Sequence, residues 1–236
     1  MLPTTTTATT AARSALPENL NSNKLLTDLF AAYYAARSNK RNTYAQMRFE
    51  RDLSNNLMEL YQDIVSRRYK VGRSICFIIA QPVKREVFAA SFRDRIVHHL
   101  LYQYLLPIFE PQFIYDSYSC RVGKGTLFGI GRLEHHIRSV SDNYKKKCWV
   151  LKLDLSGYFM SIDRQRLYDI VVGELRRQGR DRGPHREEYL TMVYLLKLVI
   201  FNDPTKGCYV KGSRSDWDGL PATKSLFATR EGCGLP

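Results

Sequence analysis

Apolar residues recur at helical spacing from Asn23 onward. Leu25, Leu26, Leu29, Phe30 and Tyr33 form one run, and Met47, Leu53, Leu57, Leu60, Tyr61 and Ile64 form a second, separated by a polar break at Asn39–Asn42. Three- and four-residue spacing puts such side chains on one face of a helix, so two helices are predicted here. Ser74–Ala80 is short, β-branched and apolar, which predicts a buried strand. Glu86–Ala89 predicts its partner across Gln81–Lys84, with Pro82 marking the turn. Ser91–Leu106 predicts a strong helix with Ser91 as N-cap and Ile96, Val97, Leu100, Leu101 and Leu105 on its apolar face, ended or kinked by Pro107. A loop at Asp116–Arg121 and a Gly123–Lys124–Gly125 turn lead into a helix reaching about Ile137. Trp149–Leu155 predicts a strand, and Arg164–Leu175 and Glu187–Phe201 predict helices. Beyond Asn202 the chain is punctuated by Gly and Pro and carries no long periodic element. Residues 1–22 are Thr- and Ala-rich without a period and are expected to be a disordered tail. The mixture predicts an α+β fold, mostly helical with a few short antiparallel strands.

Composition narrows the function classes. The 236 residues carry a net charge of +13, and 44% are apolar, enough for a sizeable core. The longest apolar stretches, Tyr104–Phe109 and Leu195–Phe201, are interrupted by Pro107 and Lys197 and are far too short to span a bilayer. No basic-then-apolar leader opens the chain. The five cysteines (Cys76, Cys120, Cys148, Cys208, Cys233) are scattered without a C-x-x-C pair. They read as reduced thiols of a cytoplasmic protein with no membrane partner.

The charge is local. Arg37–Arg95 holds 13 basic and six acidic residues, and Arg176–Arg186 holds five arginines and one acid, Asp181. Each phosphate neutralised by Lys or Arg releases a condensed counterion, so this surplus favours a polyanionic partner. The first block is interleaved with aromatics, and the chain has 15 tyrosines available for stacking, which favours nucleic acid. The Lys145–Lys147 triplet reads as a solvated turn.

One carboxylate stands out. In Trp149–Asp154, two-residue alternation puts Asp154 on a face with Val150 and Lys152. A carboxylate at the end of an apolar strand is costly to bury unless paired or holding a cation. Asp154 is therefore either paired with Lys152 at a solvent-facing edge or a magnesium ligand. Asp163 reads as the N-cap of the helix that follows. The adjacent pairs His98–His99 and His135–His136 diverge around their helices and cannot share a metal well. Gly123–Lys124–Gly125 lacks the spacing of a phosphate loop and reads as a turn and helix cap.

Read together, these segments resemble bacterial reverse transcriptases, RNA-directed DNA polymerases, and most of all the diversity-generating-retroelement and group II intron-like group. KLDLSGYFMSID (152–163) resembles the family's first catalytic motif. KREVFAASFRDRIVHHLL (84–101) resembles the fingers motif, and PIFEPQFIYDSYSCRVGKGTL (107–127) the motif after it. DWDGLPATKSLF (216–227) is similar to the retroelement subgroup, and the closing Gly232–Pro236 looks like the opening of the G-x-P motif. The resemblance runs over 84–236 in family order.

It implies a right-hand polymerase: fingers over 23–145, a partial palm with a helical insertion over 146–236, and no thumb. Asp154 would be the first of three carboxylates holding two magnesium ions, and Leu155 would offer its backbone carbonyl. Lys84, Arg85, Tyr158 and Phe159 would lie at the deoxynucleoside triphosphate, with Phe159 as the aromatic gate against a 2′-hydroxyl. Arg93, Arg95, Arg121 and Lys124 would meet template and primer, and Gly234 and Pro236 would open the second palm motif. The implied partners are an RNA template, a DNA or RNA primer, deoxynucleoside triphosphates and an accessory protein.

The family's aromatic-x-Asp-Asp motif does not occur in this sequence. One carboxylate cannot hold two hydrated magnesium ions in a defined geometry, so the chain alone is expected not to extend a primer and to be part of a longer protein. Two other functions are consistent with the same residues: a non-catalytic module for RNA or RNA–DNA hybrid, and a subunit completed by another polypeptide. The Trp149–Leu155 strand would lack a partner, which predicts self-association through an unpaired palm edge.

Overall fold

The computed structural model describes residues 17–38, 42–155 and 158–229. These divide into two compact units: one formed by residues up to Tyr104 together with those from Ile162 onward, the other by Leu105–Ser161. The division does not follow the cuts at 22 and 145, because the chain leaves the first unit within a helix and returns to it.

In the first unit, α1 (Pro17–Arg37) begins on a proline, whose missing N–H costs nothing at a first helical position. Residues 17–22, expected to be tail, are thus helical. Residues 1–16 lie outside the described residues. Leu29, Ala32, Tyr33 and Ala36 are its buried face. The second predicted helix is two, α2 (Tyr44–Glu50) and α3 (Leu53–Val65). Thr43 caps α2 by accepting the Gln46 N–H, and Leu57, Leu60 and Ile64 bury the α3 face. Glu50 Oε1 ties α1 to α2 by accepting from the Tyr33 hydroxyl at 2.9 Å, Arg37 Nε at 2.7 Å and Gln46 Nε2 at 2.9 Å.

The predicted hairpin forms: β1 (Ile75–Ile79) and β2 (Arg85–Ala89) pair antiparallel, with Ile79 opposite Arg85 and Cys76 opposite Phe88. A third strand, β3 (Tyr209–Val210), pairs parallel to β1 and gives the order β2-β1-β3. The sheet is therefore mixed, where all strands were expected to be antiparallel. Strand alternation puts Cys76, Ile78, Glu86 and Phe88 on one face, and the segment from Cys208 to Phe227 covers it, with Cys76, Trp217 and Phe227 buried together. Burial pushes the Cys76 thiol up to about 12.

Ser91 caps α4 (Phe92–Phe109), its Oγ accepting the Asp94 N–H at 3.1 Å. The helix continues two residues past Pro107 before a 3₁₀ turn at Glu110–Gln112, so the proline does not end it. Beyond Ile162, α7 (Arg164–Arg177) and α8 (Arg186–Ile200) pack together through Val172, Leu175, Met192, Leu195 and Leu196. Asp163 caps α7, accepting the Arg166 N–H at 3.0 Å, as its position predicts.

The second unit holds α5 (Thr126–Val140) and the single turn α6 (Tyr158–Ser161). Its buried residues are Ile108 and Ser141 among those described, so polar bonds do much of the holding. The predicted strand Trp149–Leu155 is absent: these residues pair with no strand among the described residues and are exposed, with Trp149 94% and Leu151 81% accessible. Alternation alone does not make a strand. Its N–H and C=O groups need a neighbouring strand, and the sheet of the first unit does not include this segment. Among the described residues no helix is long and apolar enough to cross a membrane.

Candidate nucleotide and nucleic-acid residues

The residues singled out by sequence fall in both units. In the first, Lys84 and Arg85 stand at the mouth of β2, and alternation separates them. Lys84 lies on the Glu86 side of the strand, where its Nζ donates to the Asp218 carbonyl at 2.6 Å. Arg85 is exposed, and its side chain makes no hydrogen bond or ion pair among the described residues. Of the basic pair, Arg85 is thus the one whose guanidinium is open to a ligand. The next residue, Glu86, is 7% accessible. It accepts from Trp217 Nε1 at 2.7 Å, Ser225 Oγ at 2.9 Å and the Leu226 N–H at 2.7 Å.

Arg93 is engaged structurally. It donates to Asp63 Oδ2 at 2.6 Å and lies over the Tyr69 ring, which joins α4 to the end of α3. Arg95 donates from Nε to the Ala90 carbonyl at 3.2 Å.

In the second unit, Arg121 organises the loop it belongs to. Nε meets Glu110 Oε1 at 2.8 Å, and Nη1 donates to the Ile114 and Ser117 carbonyls at 2.9 and 3.0 Å. Its side chain is 10% accessible, so this arginine holds the loop in place of the missing core. Lys124 donates to the Tyr115 carbonyl and sits 4.2 Å from that ring's centre. Asp116, Arg132 and His136 form a further staple, with Arg132 forked onto the carboxylate at 2.6 and 3.1 Å and His136 Nε2 2.9 Å away. The hydrogen bonds from Arg132 and His136 hold the Asp116 carboxyl well below the usual range. The His135 and His136 rings do not splay fully apart but meet edge to face, with 5.5 Å between centroids.

Asp154 and Leu155 are exposed on the segment outside any strand, and Tyr158 and Phe159 are exposed on α6 with their rings edge to face at 5.2 Å. No group of three His, Cys, Asp or Glu side chains that could hold a metal ion occurs among the described residues. Asp154 and its surroundings therefore do not by themselves fit the two-ion centre that the resemblance implies. Gly234 and Pro236 lie outside the described residues.

Sequence reasoning passed over a cleft of about 540 Å³ in the first unit, lined by Lys70, Arg73, Lys197 and Lys206 among others. Its one linear signal is Lys197, which breaks the apolar run of α8.

The chain matches no protein-family model. Over 150 residues it is 28% identical to nuclear intron maturase 2, mitochondrial, of Arabidopsis thaliana, a match covering 56% of this chain. The same match spans 19% of the length of that protein.

Proposed function

We propose that this chain is part of a protein distantly related to reverse transcriptases and intron maturases, and that it binds RNA. The observation that carries this reading is the 150-residue similarity to an intron maturase, which points the same way as motifs standing in family order along the sequence. The net charge of +13 and the basic Arg37–Arg95 block, interleaved with aromatics, support an RNA partner. In this reading 84–101 and 107–127 belong to a fingers region and 152–163 to a palm. Arg85 in the first unit, and Tyr158 and Phe159 in the second, are each exposed side chains of the kind a nucleotide contacts.

The chemistry of nucleotidyl transfer is a separate matter. A two-magnesium centre needs carboxylates beyond Asp154, so RNA binding is assigned to this chain and primer extension is not assigned to it alone. The test measures both. Wild-type chain is expected to bind a labelled single-stranded RNA with affinity that falls steeply as salt rises. Asp154→Ala should leave that affinity unchanged, because the carboxylate contributes no cation to the phosphates. Primer extension by the isolated chain should stay at background. Salt-independent RNA binding, or none, would sink the reading, and so would robust extension abolished by Asp154→Ala, which would make this chain a polymerase in its own right.

A further inference from the structure

The cleft of the first unit is a built site. Its cationic lining is Lys70, Arg73, Lys197 and Lys206, with Phe201 and Asp203 on the same walls. One wall is the segment from Tyr69 that leads into β1, and the other is the end of α8 with the turn after it.

Both walls are pinned before any ligand arrives. Asp94, 1% accessible, accepts from the Tyr69 hydroxyl at 2.6 Å, the Gly72 N–H at 3.0 Å and Ser91 Oγ at 2.7 Å. The backbone that carries Lys70 and Arg73 is thereby fixed to α4. The backbone of Gly72 lies close to this carboxylate: a Cβ there would stand 3.0 Å from Asp94 Oδ2 and press on it. Tyr194 of α8 donates its hydroxyl to the Tyr69 carbonyl at 3.0 Å, joining the walls directly. Arg73 donates to the Gly207 carbonyl and to the Tyr209 hydroxyl, and stacks 4.0 Å from the Tyr209 ring centre. A site held in this way loses little conformational entropy when it is filled.

The cations of the lining outnumber its carboxylates four to one. Lys70, Lys197 and Lys206 are exposed and form no ion pair among the described residues. The single carboxylate of the lining, Asp203, directs Oδ1 at the N–H and hydroxyl of its neighbour Thr205, at 3.1 and 2.7 Å. The end of α8 brings partial negative charge, which four cations outweigh. Phe201 is 39% accessible and leans on Tyr168 at 5.6 Å, so its ring is held and partly open.

We propose that this cleft holds the sugar–phosphate backbone of a single RNA strand, with phosphates on the three lysines and a base beside Phe201. The inference rests on the proposed RNA-binding function and says where the strand lies. Dispersed cations beside an aromatic ring are what a nucleic-acid strand needs, since its charges are spaced by sugars and its bases stack.

The experiment is a fluorescence-anisotropy titration with a labelled single-stranded RNA of about 16 nucleotides, at several salt concentrations. Removing three phosphate contacts in Lys70→Ala/Lys197→Ala/Lys206→Ala should weaken binding at least about tenfold and make the plot of log affinity against log salt shallower by about 2. The corresponding triple arginine variant should keep both slope and affinity. Phe201→Ala should weaken binding about tenfold with the slope unchanged. These lysines are exposed, and a circular-dichroism melt identifies any variant that has not folded. If wild type binds RNA and the triple alanine variant binds identically, the cleft assignment is overturned while the proposed function stands. If wild type does not bind, both fall. Displacement of the RNA by polyglutamate as readily as by unlabelled RNA would overturn the assignment in favour of an acidic protein partner.

Discussion

Glu86 shows how much one side chain decides. In sequence it is an acid inside a basic strand mouth, between Arg85 and Val87. In the fold it is a buried acceptor for three donors that arrive from 131 to 140 residues away. A glutamine would set an amide N–H₂ against one of those donors. Hydrogen bonds to a charged group are worth roughly 1.5–3 kcal/mol, so Glu86→Gln should cost about 2 kcal/mol of stability. Urea unfolding followed by tryptophan fluorescence can test this, because Trp217 is buried on Glu86 while Trp149 is exposed. An unchanged midpoint would mean that the carboxylate does not anchor this segment. Caps, by contrast, are legible without the fold. Asp163 and Ser91 each stand immediately before an apolar period, and each accepts the backbone N–H three residues on, because capping depends only on local backbone geometry. Arg93 and Arg121 mark the limit of such reading. The resemblance implies a template or primer role for both, whereas in the fold they bond Asp63 and Glu110 of the same chain.

Among elements, the hairpin and the helices α4, α7 and α8 follow from periodicity, since each makes its own hydrogen bonds or pairs across a short turn. Trp149–Leu155 satisfies the same period-two pattern and yet is no strand, because strand formation requires a partner that the local sequence does not contain. The segment leaves Trp149, Leu151, Leu153 and Leu155 each more than 70% accessible beside unpaired backbone groups. Exposed apolar side chains beside unpaired backbone groups favour pairing with a second copy. Light scattering should therefore show concentration-dependent association of the chain, and Leu151→Lys with Leu153→Lys should return it to monomer. A wild-type chain that stays monodisperse and monomeric across the concentration range would refute this. β3 errs in the opposite direction. Two residues in a Gly-punctuated stretch carry no strand signal, and they pair with β1 because the tertiary path delivers them to its free side.

At the scale of the molecule, the first unit is held by apolar faces crossed with buried phenols. Burial above all, and then Asp94, raises the Tyr69 pKa, and burial followed by the Asp28 hydrogen bond does the same for Tyr104. Tyr33 is pushed up to about 12 by burial and by Glu50. The folded chain thus keeps protons that the unfolded chain gives up near pH 10. Stability from these tyrosines is whole below that pH and is lost as pH rises through the folded values. The unfolding temperature should decline from pH about 10 upward, and Tyr69→Phe should flatten the decline. A level unfolding temperature to pH about 12 would contradict the assignment. What the sequence by itself determined is the set of interactions that close within a few residues: helix periods, caps, the β1–β2 hairpin, and the excess of positive charge with its aromatic company. Tertiary structure alone decided the third strand, the Glu86 anchor, the employment of Arg93 and Arg121 inside the fold, and the meeting of Lys70 and Arg73 with Lys197 and Lys206. Those depend on groups more than a hundred residues apart, or on arginines whose partners only the folded path supplies. A linear pattern records which groups need partners and is silent on which partners the folded path will bring.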